Sequence, residues 1–104
     1  MDVRRSERDD GTIELGVEGE LDLETAPVLR EALLAAIKEN GRVWVDFTNC
    51  SFMDSTGLRV IIEGARMVGE GQAKLGISGL REQPKQLFEI TNLEQSDLLR
   101  FDNA

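Results

Sequence analysis

Thr12-Ile13-Glu14-Leu15-Gly16-Val17-Glu18 alternates polar and apolar residues, the period-two pattern of a strand with one buried face. Asp10-Gly11 immediately before it is a hairpin turn signal, so a short strand over Val3 to Arg8 is expected to pair back onto it. The charged side chains of that first strand suit an exposed sheet edge. From Thr25 the spacing becomes helical: Ala26, Leu29, Leu33 and Ile37 line one face, Leu34 flanks it, and Glu31, Lys38 and Glu39 lie outside. Thr25 is placed to cap this helix, Pro27 falls in the first turn where a missing N–H costs nothing, and Asn40-Gly41 ends it.

Val43-Trp44-Val45-Asp46-Phe47 is a β-branched and aromatic run that predicts a central strand covered on both faces, with parallel neighbours. A loop, Thr48 to Asp54, is expected to lead into a second helix over Thr56 to Val68, closed by Gly69-Glu70-Gly71. Lys74 to Ser78 reads as the next strand and Pro84 to Ile90 as a third helix, with Leu87, Phe88 and Ile90 as its apolar residues. Leu98 to Phe101 adds a last strand or a short helical turn. Strands alternating with helices imply right-handed crossovers, hence a mixed, mainly parallel α/β sheet with an antiparallel amino-terminal edge.

The 104 residues contain no linker-like stretch, so one domain over 1–104 is expected. The net charge of -8 argues against nucleic acid, because that affinity comes from lysine and arginine neutralising phosphates, and disfavours anionic membranes for the same reason. No run is long and apolar enough for membrane insertion, and the charged stretch Met1 to Asp10 has no apolar segment. A reducing cytoplasm is the expected location. Cys50 is alone, which excludes an intramolecular disulfide and cysteine-pair metal sites. Histidine is absent altogether, which removes the usual general base of hydrolases. No catalytic residues, cofactor or metal are expected.

The stretch Phe52-Met53-Asp54-Ser55-Thr56-Gly57-Leu58 puts two hydroxyls and a glycine where a loop becomes a helix amino terminus. The first N–H groups there lack internal acceptors and the helix dipole adds partial positive charge, which suits a phosphate. Asp54, Ser55 or Thr56 could equally serve as an ordinary cap, and local chemistry leaves both uses open. Asp-Ser-Thr-Gly has one residue too many for the Asp-Thr/Ser-Gly loop of an aspartic protease, and there is no Gly-Lys-Ser/Thr phosphate loop.

The segment Phe52 to Leu58, followed by Val60-Ile61-Ile62 and Gly64, resembles the phosphorylation motif of bacterial anti-sigma factor antagonists. These are a branch of the STAS (sulphate transporter and anti-sigma antagonist) family. Gly19-Glu20-Leu21-Asp22 with Thr25-Ala26 resembles the family's Gly-Glu-Leu-Asp turn into helix one, at the family's usual spacing. The resemblance implies a STAS-like fold and a non-enzymatic, cytoplasmic role in transcription regulation. Ser55 would be the serine phosphorylated, with Asp54 orienting its hydroxyl, Thr56 beside it as a non-acceptor, and Asp22 on the rim that meets the kinase. The implied partners are an ATP-binding anti-sigma factor serine kinase and a PP2C-type phosphatase. A rival within the fold is an unphosphorylated accessory subunit of a membrane transporter for lipid, with Ser55 only a cap. Members often continue into a further helix after the last strand, whereas this sequence reaches Ala104 soon after Phe101.

At 100° per residue, Leu58, Ile61, Ile62, Ala65 and Val68 cluster on the inward face of helix two, while Val60 and Met67 are expected to point outward, with Gly64 between them. Glu20, Asp22, Asp54, Ser55, Thr56, Gly57, Val60, Gly64 and Met67 then form the expected partner-binding surface. Polar replacements at Val60 and Met67 are expected to weaken docking without lowering the melting temperature.

Overall fold

The computed structural model describes residues 1–68 and 74–102. The elements run β1 (Asp2–Glu7), β2 (Ile13–Leu21), α1 (Ala26–Asn40), β3 (Val43–Met53), α2 (Ser55–Val68), β4 (Leu75–Ser78), α3 (Glu82–Ile90), a 3-10 turn (Leu93–Gln95) and β5 (Leu99–Asp102). The expected closure of helix two at Gly69-Glu70-Gly71 lies outside the described residues. The strands lie side by side in chain order, β1-β2-β3-β4-β5. Only β1 and β2 are antiparallel, and the remaining pairs are parallel. This is the mixed α/β sheet the alternation predicts, with β5 resolved as a strand.

The core lies between one face of the sheet and the helices. Ile13, Leu15, Val43, Val45, Phe47, Leu75 and Ile77 are all fully buried or nearly so and join Leu29, Leu33, Ile61 and Phe88 in one cluster. Trp44 and Asp46, which point to the opposite face, are only half-buried. The expectation that β3 is covered on both faces is therefore corrected. β3 runs through the middle of the sheet, but alternation is disguised because Trp44 carries an apolar side chain onto the uncovered face. Burial of one sheet face against helices at about 25 cal/mol per Å² is what holds such a two-layer domain together.

α1 ends as its sequence requires. Gly41 has φ 74, the left-handed conformation that closes a helix, and its N–H returns to the Ile37 carbonyl at 2.9 Å. Its start differs from expectation. The Thr25 side chain makes no cap bond; instead the Asp22 carboxylate accepts the N–H groups of Glu24 and Thr25 at 3.0 and 3.1 Å. The Thr25 hydroxyl in turn accepts the Asp22 N–H at 2.9 Å and donates to the Glu20 carbonyl at 2.7 Å. The Gly-Glu-Leu-Asp turn is thus a closed hydrogen-bonded unit.

β3 is longer than expected, replacing most of the anticipated loop with strand. Its second half pairs with β2 through two register shifts, between Gly16 and Glu18 and between Gly19 and Glu20. Such bulges break period-two alternation, which is why Thr48 to Met53 does not read as strand in the sequence. Ile90 is also corrected: it is 79% exposed, while Phe88 carries α3 into the core and meets Phe101 edge-on at 5.9 Å.

Candidate functional site

β3 delivers the chain directly to the amino terminus of α2. β2 and β3 stay paired to Leu21 opposite Met53, and the Asp54 N–H extends the ladder by reaching the Leu21 carbonyl at 3.1 Å. Asp54 then serves as the helix cap. Its Oδ1 accepts the Thr56 N–H at 2.8 Å and the Gly57 N–H at 3.2 Å, and its carbonyl accepts the Leu58 N–H at 3.2 Å. Of the three candidate caps it is the aspartate that caps, and Ser55 occupies the first helical position with its side chain exposed. Asp54→Ala is expected to cost about 1 kcal/mol of stability, the usual effect of losing such a cap. Asp54→Ser should recover most of it in a denaturant titration.

Two further features hold this junction still. Gly57 presses onto the end of β2, where a Cβ would come within 2.5 Å of Leu21 Cγ and 3.2 Å of Met53 Cγ. From the other side, the Gln83 side-chain amide of α3 clamps Met53. It accepts the Met53 N–H at 2.8 Å and donates to the Met53 carbonyl at 2.8 Å. β4 leaves β3 at Asp46, opposite Ser78, so Gln83 takes the place of a neighbouring strand just before the site. Gln83→Ala should lower the melting temperature by several degrees, from about 1–2 kcal/mol of lost bonding to partly buried backbone groups. Hydrogen exchange at the Met53 amide should rise; unchanged protection there would contradict the clamp.

Glu20 and Ser55 are exposed at this end of the sheet, and Asp22, Asp54 and Thr56 are half-buried. Asp22 and Asp54 spend a carboxylate oxygen on backbone N–H groups, so both order the surface from beneath. Met67 is 42% exposed, as expected. Val60 and Gly64 are not. Val60 is only 8% exposed, and Gly64 is buried where a Cβ would approach Leu33 Cδ2 within 2.6 Å. The error has a physical source. Gly57, Val60 and Gly64 form one i, i+3, i+7 stripe, and the two glycines are the points where the helix approaches Leu21 and α1. A count of apolar side chains gives glycine no weight, so it placed Leu58, Ile61, Ala65 and Val68 in the core, where they are, but left this stripe outside it. Ile62, expected in the core, is half-buried instead.

The exposed stripe of α2 carries Ser55, Arg59 and Arg66, with half-buried Ile62 between them. Arg30 of α1 joins α2 at Glu63, Nε to Oε1 at 2.6 Å. At the end of the sheet that carries Ser55, three large apolar side chains escaped the sequence reading: Leu23 at 73%, Val28 at 46% and Phe52 at 41% exposed. Leu23 follows the Asp22 turn, Val28 is in the first turn of α1, and Phe52 lies opposite Glu20. An apolar residue outside the core period, next to the motif, was the available signal. Cys50 is fully buried, and that burial pushes its thiol up, which disfavours the nucleophilic thiolate.

A family model described as "Mlab, STAS domain" matches residues 5–100. The chain is 38% identical over 105 residues to the anti-sigma-B factor antagonist of Listeria monocytogenes, covering 100% of this chain and 90% of that protein. Its fold is similar to the crystal structure of an anti-sigma factor antagonist from Mycobacterium paratuberculosis, with TM-score 0.85 at 22% identity over 95% of this chain and 84% of that one. It is also similar to the Bacillus cell fate determinant SpoIIAA in its phosphorylated form, with TM-score 0.72 at 17% identity over 98% and 92% of the two chains. At those identities the structural matches speak for fold alone. The chain belongs to the STAS domain family, in its anti-sigma factor antagonist branch.

Proposed function

We propose that this protein is a non-catalytic partner switch: unphosphorylated, it binds an anti-sigma factor serine kinase and releases the sigma factor, and phosphorylation of Ser55 ends that binding. The observation that carries the reading is the position of the Ser55 hydroxyl, exposed at the first turn of α2 while Asp54 does the capping. The partner kinase supplies the ATP. The Ser55 Oγ attacks the γ-phosphorus, the bond to the bridging oxygen breaks, ADP leaves, and the hydroxyl proton passes to a base of the kinase.

The first-turn N–H groups of Thr56 and Gly57 already belong to Asp54, so the sequence-based idea of a ready phosphate seat is replaced by a sharper one. A phosphate on Ser55 has its charge of about -1.5 to -2 beside a carboxylate that occupies the local donors. The charge faces outward, toward the partner. Leu23 and Phe52 supply apolar contact at the same end of the sheet, Glu20 the acidic rim over the turn that Asp22 orders, and the helix changes little on modification. A PP2C-type phosphatase would reset the switch, and a cytoplasmic location fits the partners.

The test is displacement. Purified chain is expected to release sigma factor from its complex with the cognate anti-sigma kinase in size-exclusion chromatography, and chain pre-treated with kinase and ATP is expected to release none. Sigma factor that stays bound in both arms would contradict the reading. In the rival transporter-subunit reading α2 is a constitutive interface, and treatment with ATP and kinase leaves transporter binding unaltered.

A further inference from the structure

At the opposite end of the sheet from Ser55, the amino-terminal ends of the parallel strands surround an open cavity of about 210 Å³. Arg8, Arg42, Lys74 and Arg100 line it, together with Trp44, Thr12, Val43 and Asp10. Four of the twelve Lys and Arg residues of a chain with net charge -8 thus converge on one small basin. The concentration has no part in the switch, because β3 carries Trp44 at this end and reaches Ser55 only after its last residue, Met53.

The basin is built rather than incidental. Glu14, Trp44, Gly76 and Arg100 form one lateral row across β2, β3, β4 and β5. A Cβ at Gly76 would run into the Trp44 ring, so the missing side chain is what lets the indole lie across β4 toward Arg100. The Arg100 guanidinium sits 5.5 Å from the ring centroid and that of Arg8 5.1 Å, a distance at which a cation is held by the aromatic face. Glu14 fixes Arg8 further, with Nε to Oε2 at 2.9 Å. Among the described residues neither Lys74 nor Arg100 has an acidic partner. The one acidic liner, Asp10, turns its carboxylate to the Thr12 N–H at 2.9 Å. That bond, with smaller help from Arg42 and Arg8, holds its carboxyl below the usual range.

We propose that this basin binds a compact multivalent phosphate, either a pyrophosphate or a phosphate monoester. Guanidinium forks match phosphate oxygens in bidentate geometry, and pre-ordering on an indole reduces the entropy lost on binding. The size selects a small ligand, since the cavity is below the 300–1,000 Å³ or so typical of larger organic ligands. The acidic remainder of the chain repels a long polyanion such as nucleic acid.

The experiment titrates inorganic pyrophosphate and glycerol phosphate in parallel into the full chain, by calorimetry and by thermal melting; the tighter of the two assigns the source. Saturable binding is expected, with a melting temperature raised by several degrees beyond sodium chloride of equal ionic strength. The double variant Lys74→Ala/Arg100→Ala, checked for native circular dichroism, should bind at least about tenfold more weakly, the effect of losing charge-assisted hydrogen bonds. Arg100→Lys tests the fork separately and should bind between the two. No stabilisation beyond chloride, an equal response to citrate, or a double variant that binds as well as the wild type overturns the proposal.

Discussion

Ser55→Asp is expected to bind the anti-sigma kinase about a hundredfold more weakly than the wild type, while Ser55→Ala binds about as well as the wild type. The asymmetry follows from where the residue sits. Its hydroxyl is exposed and takes no part in the cap, so removing it leaves the helix start intact. A carboxylate in its place must be desolvated beside Asp54 when the partner docks, and burying an unpaired charge at an interface costs several kcal/mol. The helix dipole recovers only a few tenths to about 1 kcal/mol for an exposed anion. Isothermal calorimetry on the three proteins reads the effect directly. Equal affinity of Ser55→Asp and wild type would remove charge as the switching agent.

Val60→Asp is expected to unfold most of the population near body temperature, whereas Met67→Asp leaves the melting temperature within a few degrees of wild type. The two residues look alike in the sequence, both lying off the apparent apolar face of α2. In the fold Val60 is 8% exposed and Met67 42%. An unpaired carboxylate at Val60 costs several kcal/mol, a large share of the roughly 5–15 kcal/mol that stabilises a domain. At Met67 the charge remains in water, and surface changes of that kind stay within about 0.5 kcal/mol. Val60→Ser should fall between them. Comparable melting of the two aspartate variants would mean that α2 is rotated about its axis relative to the structure described.

The contrast shows what the sequence carries and what it does not. β2 and α1 are legible because each has one exposed and one buried side and clear punctuation. Asp10-Gly11 marks the hairpin, and Gly41 marks the helix end with its left-handed φ of 74. The second half of β3 is illegible, since two register shifts in its pairing with β2 destroy the alternation that identifies a strand. In α2, Leu58, Ile61, Ala65 and Val68 are buried as expected, but Val60 and Gly64 are misread for another reason: glycine at positions 57 and 64 measures proximity of a neighbour, which hydropathy does not record.

At the site, Ser55 was legible as a hydroxyl at a helix entrance, but its division of labour with Asp54 was not. Only coordinates show which of three adjacent side chains bonds the Thr56 and Gly57 N–H groups. Gln83 was invisible for a different cause. It acts across 30 residues of sequence by imitating a strand edge at Met53, and nothing local to either segment announces that pairing. Leu23 and Phe52, by contrast, could have been found as apolar residues with no place in any core period.

Phosphopeptide mapping by mass spectrometry, after incubation with the cognate kinase and ATP, tests the central claim most directly. The account predicts one phosphoryl group per chain on Ser55, none on Ser55→Ala, and a wild-type level on Thr56→Val. Stoichiometric labelling of Ser55→Ala, or a phosphate found on Thr56 instead, would contradict it.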